Sequence, residues 1–164
     1  MEVVDRFARL VEEFEQWCSA APTPGDDEVE QLMRCLARLY AGALDLPVDG
    51  GLDDDLEQSD EASDEAGAAD DSLWRQTYDR CASLPVSYYA VVLDPLAVPA
   101  GETGLGDLAD DVADIRRDLA RGRAEYERGR RRSAAWEWRH GFDTHWGEHA
   151  LGALTALRAW SRSC

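Results

Sequence analysis

His145 and His149 stand four residues apart in the string His145-Trp146-Gly147-Glu148-His149. On a helix that spacing puts both imidazoles on one face, about one turn apart. The string also satisfies H-x-x-E-H, the inverted form of a zinc-protease motif in which two imidazoles hold the metal beside a carboxylate. Such an enzyme takes a third ligand from well downstream, whereas only fifteen residues follow His149, and no sheet-flanked cleft is expected here.

Carboxylates that could complete a metal site occur earlier, where Asp107, Asp110, Asp111, Asp114 and Asp118 recur at spacings of three, four and seven. Asp111 and Asp118 fall on one edge of the apolar stripe of that helix. If this edge faces the last helix, they join His145 and His149 around a divalent cation, as carboxylates and imidazoles do in helical bundles. The Glu-x-x-His pairs of di-iron bundles are absent. Apart from that divalent metal, no cofactor is expected.

A simpler account of these residues needs no ion. Asp107, Asp110 and Asp111 occupy the first turns of a helix, where carboxylates accept from free backbone N–H groups and oppose the positive end of the dipole. Asp114 with Arg117, and Asp118 with Arg121, are three-apart ion pairs on a solvated face. An aspartate that accepts from His149 or pairs with Arg139 then belongs to a satisfied polar network of Asp111, Asp114, Asp118, Arg139, His145 and His149.

The elements that must position these groups read as helices. Val4, Phe7, Val11, Phe14 and Cys18 alternate at three and four, the mark of an amphipathic helix. Ala21 to Asp26 is turn-forming, and Asp26 or Asp27 can cap a second helix with the stripe Val29, Leu32, Leu36, Leu39 and Ala43, ending before Pro47. Residues 48 to 71 are small and acidic, so they cannot offset their ordering entropy and read as a mobile loop inserted in a single domain spanning 1–164. Asp70-Asp71-Ser72 can cap a third helix. Val86 to Leu93 is either a short helix or a strand; with no second strand-like run to pair with, helix is the preferred reading. Gly101 to Gly106 is a loop, and Leu108, Val112, Ile115, Leu119 and Tyr126 mark a helix ending near Arg128-Gly129.

The last helix runs from about Arg132 to Arg162, roughly 45 Å, and is the central member of the bundle. At about 100° per residue, Trp138, Phe142, His149, Ala153 and Trp160 share its stripe, with His145 and Trp146 on the shoulders. His149 thus points into the core. Trp138, Phe142 and Trp146 also offer an aromatic surface for a partner.

The net charge is −17, but its distribution is uneven: residues 49 to 71 hold eleven acids and no base, while residues 72 to 164 balance thirteen against thirteen. Whole-chain acidity is therefore no sign of a nucleic-acid mimic. All seventeen basic residues are Arg, consistent with the codon bias of a GC-rich bacterium. Arg121, Arg123, Arg128, Arg130, Arg131 and Arg132 cluster, yet lack the interleaved aromatics of a nucleic-acid groove and read as a solvated helix end. The charge balance suggests that the acidic loop folds back over that cluster and shields it. Cys18, Cys35, Cys81 and Cys164 form no Cys-x-x-Cys pair and read as reduced thiols. There is no membrane-spanning run or leader-like N-terminus, so a cytoplasmic location is expected.

Tyr88-Tyr89 followed by Asp94-Pro95-Leu96, the run from Leu108 to Leu119, and the run from Trp136 to Arg158 together resemble a bacterial family known as domain of unknown function 5063. The likeness extends over nearly the whole chain apart from the acidic segment. It implies a small all-helical protein with no assigned activity, and its motif positions map to Asp111, Asp114, Asp118, Trp138, Arg139, Phe142, His145, Trp146 and His149.

The expected molecule is an all-α bundle of five or six helices. The leading functional reading is a non-catalytic binding or adaptor module with a protein partner; the alternative is a metal-binding bundle or metal-dependent enzyme. A homodimer would follow from exposed Trp17 or Trp160 faces.

Overall fold

A computed structural model describes residues 2–23, 25–48, 64–99 and 101–163, without the side chains of 64–69. Helices α1 (Glu2–Ser19), α2 (Asp26–Leu44), α3 (Asp64–Arg80), α4 (Leu108–Glu127), α5 (Arg131–Gly141) and α6 (Gly147–Ser161) make the fold, with strands β1 (Tyr88–Val92) and β2 (Thr103–Asp107) between α3 and α4. The chain is all-α in class, with one small hairpin. No helix among the described residues is long and apolar enough to cross a membrane.

The apolar stripes close the core as their spacing requires. Val4, Phe7, Val11, Phe14 and Cys18 of α1 and Val29, Leu32, Leu36, Leu39 and Ala43 of α2 are all buried, and they meet Leu108, Val112, Ile115 and Leu119 of α4. The central member is α4, which packs against α1, α3, α5 and α6. This corrects the expectation that the C-terminal helix is central; α5 and α6 contact α1, α2 and α4. Leu44 ends α2 ahead of Pro47, as the restriction on a residue before proline demands. Its N-cap is Gly25 rather than an aspartate, with Asp26, Asp27 and Glu28 in the first turn.

Three further expectations are corrected. First, Tyr88–Val92 is a strand, not a helix, and its partner lies in the segment read as a loop: β1 pairs antiparallel with β2, Tyr89 opposite Gly106 and Val91 opposite Gly104. The alternating glycines of Thr103-Gly104-Leu105-Gly106-Asp107 hide the strand pattern, yet their missing side chains give Tyr89 its seat. A Cβ on Gly106 would lie 2.4 Å from the Tyr89 ring, and one on Gly152 of α6 would lie 2.3 Å from the Tyr89 hydroxyl. Second, α3 begins at Asp64, upstream of the cap expected at Asp70 to Ser72. Residues 64 to 71 thus leave the acidic loop; the rest of it, 49–63, lies outside the described residues.

Third, the C-terminal helix is helical from Arg131 to Ser161 but not uniformly α: Phe142–Trp146 forms a π turn between α5 and α6. A π turn takes in an extra residue and rotates everything beyond it relative to an ideal helix. Projection at 100° per residue therefore drifts past Phe142, although Ala153 is buried as it required. His149 leaves the apolar stripe and lies half-buried on the α4 side, while Trp138, Phe142 and Trp146 are buried. The expected aromatic surface is core: Phe7 packs on Trp138 with ring centroids 5.1 Å apart, and Tyr40 meets Phe142 edge-on at 4.9 Å. Trp17 is buried beneath the Arg80 guanidinium, 4.4 Å from its ring centroid, and so offers no exposed face for a second copy.

Candidate functional site: a histidine pair braced by aspartates

Helices α4 and α6 set their polar edges against each other, with the π turn delivering His145 and α6 delivering His149. The Nδ1 of His145 lies 2.7 Å from Asp118 Oδ2, and the Nδ1 of His149 lies 2.7 Å from Asp111 Oδ1. A carboxylate beside an imidazole nitrogen accepts, so each Nδ1 carries the hydrogen and each Nε2 is left to face elsewhere. The two Nε2 atoms face each other at 3.3 Å.

Asp114 stands beside this pair, with its two oxygens given separate tasks. Oδ1 accepts from Trp74 Nε1 at 2.9 Å and pairs with Arg117 at 2.6 Å. Oδ2 lies 3.8 Å from His149 Nε2. Asp114, His145 and His149 thus present three ligand atoms, all within 4.8 Å of one another. Asp111 and Asp118, expected as ligands, instead stand behind the imidazoles.

The bracing residues are themselves held. Tyr89 donates to Asp111 Oδ2 at 2.5 Å, and Arg121 approaches Asp118 Oδ1 at 3.8 Å. Burial and the Asp111 carboxylate push the Tyr89 phenol well above its ordinary range. The hydrogen bond to Asp111 raises the His149 pKa above 6.5, against the opposing effect of burial. Side-chain exposure grades across the cluster from 8% at Asp111 to 44% at His145, so the pair is approachable from one side. That side opens on a groove of about 340 Å³ between the hairpin and α6.

Of the six residues expected in a polar network, five come together: Asp111, Asp114, Asp118, His145 and His149. Arg139 does not. It pairs with Asp143 at 2.8 Å and donates to the Ala43 and Leu44 carbonyls, capping the end of α2 instead. Asp107 takes the role the helix dipole predicts, N-capping α4 by accepting from Ala109 and Asp110 amides. Sequence reasoning missed Trp74, whose helix shows no chemical motif, and Tyr89, whose only signal was its place in the Tyr88-Tyr89 motif.

The arginine cluster at the end of α4 is largely consumed by internal ion pairs: Arg123 with Glu15 and Glu127, Arg128 and Arg130 with Glu125, and Arg131 with Asp5. This agrees with a solvated helix end. The acidic loop proposed to cover it lies in large part outside the described residues.

The fold is similar to that in the crystal structure of protein BF1032 from Bacteroides fragilis, with a TM-score of 0.69 over 97% of this chain and 95% of that one, at 17% sequence identity. No curated protein matches the chain in sequence. A family model matches residues 1–162, and the chain therefore belongs to the family described as domain of unknown function DUF5063.

Proposed function

We propose that this protein binds a divalent first-row transition ion, zinc foremost, through His145 Nε2, His149 Nε2 and Asp114 Oδ2. The observation that carries the reading is the pair of Nε2 atoms 3.3 Å apart, each on a ring whose Nδ1 is committed to a carboxylate. When both rings are neutral, two lone pairs converge on one point, and a cation between them relieves that repulsion. Two ligands about 2.0–2.1 Å from a tetrahedral ion are separated by about 3.3 Å, the same spacing.

Two further features support the ion. Metal-bound histidines characteristically donate their other N–H to a carboxylate, which fixes the ring and raises its basicity; Asp118 and Asp111 stand in that position. The local charge also favours a cation, since Asp107, Asp110, Asp111, Asp114, Asp118 and Glu148 outnumber the nearby Arg117 and Arg121. Imidazoles with one carboxylate suit zinc and its first-row neighbours rather than calcium or magnesium, which prefer oxygen ligands. The adaptor reading rested on an aromatic surface, and those side chains are interior.

The test is elemental analysis of untagged protein, followed by calorimetric titration of chelator-stripped protein with zinc. One equivalent is expected. His149→Ala and Asp114→Ala should abolish it, and Asp111→Asn should weaken it about 10- to 100-fold. Zinc binding that is equally weak in the wild type and in the His145→Ala/His149→Ala protein would overturn the reading.

A further inference from the structure

The groove over the histidine pair has two unlike walls. Val91, Leu93 and Leu105 of the hairpin give one an apolar character, while Asp110, His145, Glu148 and His149 line the other. Leu93 and Leu105 are 63% and 76% exposed, so no described residue covers this apolar wall. No arginine among the described residues lines the groove. A phosphate ester entering it would meet carboxylates with no guanidinium to receive it, whereas a neutral carbonyl compound meets no such repulsion.

Among the described residues, two carboxylates of this groove are uncommitted: neither Asp110 nor Glu148 accepts a hydrogen bond or forms an ion pair there. Asp110 lies one helical turn before Asp114 on the same side of α4 and is half-buried, whereas Glu148 is exposed. Burial and the neighbouring Asp114, Asp107 and Asp111 raise the Asp110 pKa. Partial desolvation makes a carboxylate a stronger base. Three protein ligands on zinc also leave a fourth position, which catalytic sites give to water.

Resting on the metal reading above, we propose that the ion carries a water in a position open to this groove, and that Asp110 takes a proton from it. The water oxygen then attacks the carbonyl carbon of a neutral ester or amide whose apolar flank lies against Leu93 and Leu105. The metal polarises the water, its oxygen forms the new C–O bond, and the C–O or C–N bond to the leaving group breaks. Asp110 returns its proton to the departing oxygen or nitrogen, so that one water is consumed and a carboxylic acid and an alcohol or amine are released. The H-x-x-E-H string thus gains what its sequence lacked: Asp114 as the third ligand, from an upstream helix, and a strand pair beside the cleft.

The test uses full-length protein loaded with zinc for hydrolysis and with cobalt(II) for spectroscopy, and p-nitrophenyl butyrate and p-nitrophenyl phosphate as probes. Acetohydroxamate should shift the cobalt visible bands, reporting the open position. Butyrate hydrolysis should exceed that of His149→Ala protein and fall about 100-fold or more in Asp110→Asn. Asp110→Asn should keep its cobalt spectrum and hydroxamate response, and Glu148→Gln should lose far less hydrolysis than Asp110→Asn. Leu105→Ser should raise KM with kcat preserved. Full metal loading with no hydrolysis above His149→Ala, or preference for the phosphate probe, would overturn this inference and leave the metal reading standing. Loss in Glu148→Gln with retention in Asp110→Asn would overturn the assignment of Asp110. Failure to load any ion would overturn both readings.

Discussion

Gly147→Ala tests whether the π turn is required by the sequence. In an ordinary exposed helix this change stabilises by about 1 kcal/mol, because alanine is the better helix former. Here a Cβ at position 147 would lie 2.4 Å from the Phe142 carbonyl oxygen and 3.0 Å from its ring. The obstacle is backbone, five residues back along the π turn, and no rotamer change relieves it. Restoring ordinary contact at 3.4 Å needs a displacement of about 1.0 Å inside a packed core, which puts the cost near the upper end of about 1–3 kcal/mol for overpacking. Subtracting the helix-propensity gain leaves a loss of about 2 kcal/mol, or roughly 4–8 °C in Tm for a chain of this size. Urea and thermal unfolding followed by circular dichroism measure it. Gly101→Ala, with nothing within 4 Å, serves as the control that does not lose stability. A Gly147→Ala protein as stable as the wild type, or more so, would refute the reasoning, since it would mean that the turn relaxes to plain α-helix without penalty.

Tyr89→Phe removes the donor to Asp111 and should cost about 1.5–3 kcal/mol by chemical denaturation, the range for hydrogen bonds to charged groups. Trp138→Ala empties a fully buried site and deletes the bond from its indole to the Leu119 carbonyl, so a loss of about 3–5 kcal/mol is expected by the same assay. Burial pushes the Cys81 thiol up to about 12 and the Cys18 thiol higher still, so in a thiol-modification time course at pH 8 both should label only on unfolding. Burial also raises the Glu137 pKa, so the folded state binds more protons than the unfolded one between 4.5 and the raised value. Stability should fall as pH rises through that window, and Glu137→Gln should flatten this segment of a pH series of urea melts.

How much was legible in the chain depended on whether a rule's assumption held locally. The α1 and α2 stripes and the end of α4 at Arg128-Gly129 follow ordinary α periodicity and capping, and they match the structure. The hairpin escaped notice because β2 carries two glycines in five residues and so shows no alternating hydrophobicity. That Asp111 and Asp118 share one edge of α4, and His145 and His149 one face of the last helix, could be read from spacing alone, and the packing of α4 against α6 brings the two sets together. Which nitrogen meets which oxygen could not. That choice depends on the rotation imposed at Phe142–Trp146, which also turned Trp146 inward to donate to the Trp138 carbonyl at 3.1 Å. Arg139 misled because it neighbours the motif in sequence while its face turns to α2.

The phenol of Tyr89 passes between Gly106 and Gly152 to reach Asp111, and Asp111 in turn holds His149. The basicity of one imidazole is therefore governed from a strand that contributes little to the helical core. A contact on the hairpin that tilted this ring would change the electron density at His149 without touching the histidine. The least helical part of the protein thereby acts as a tuning arm for its most polar part.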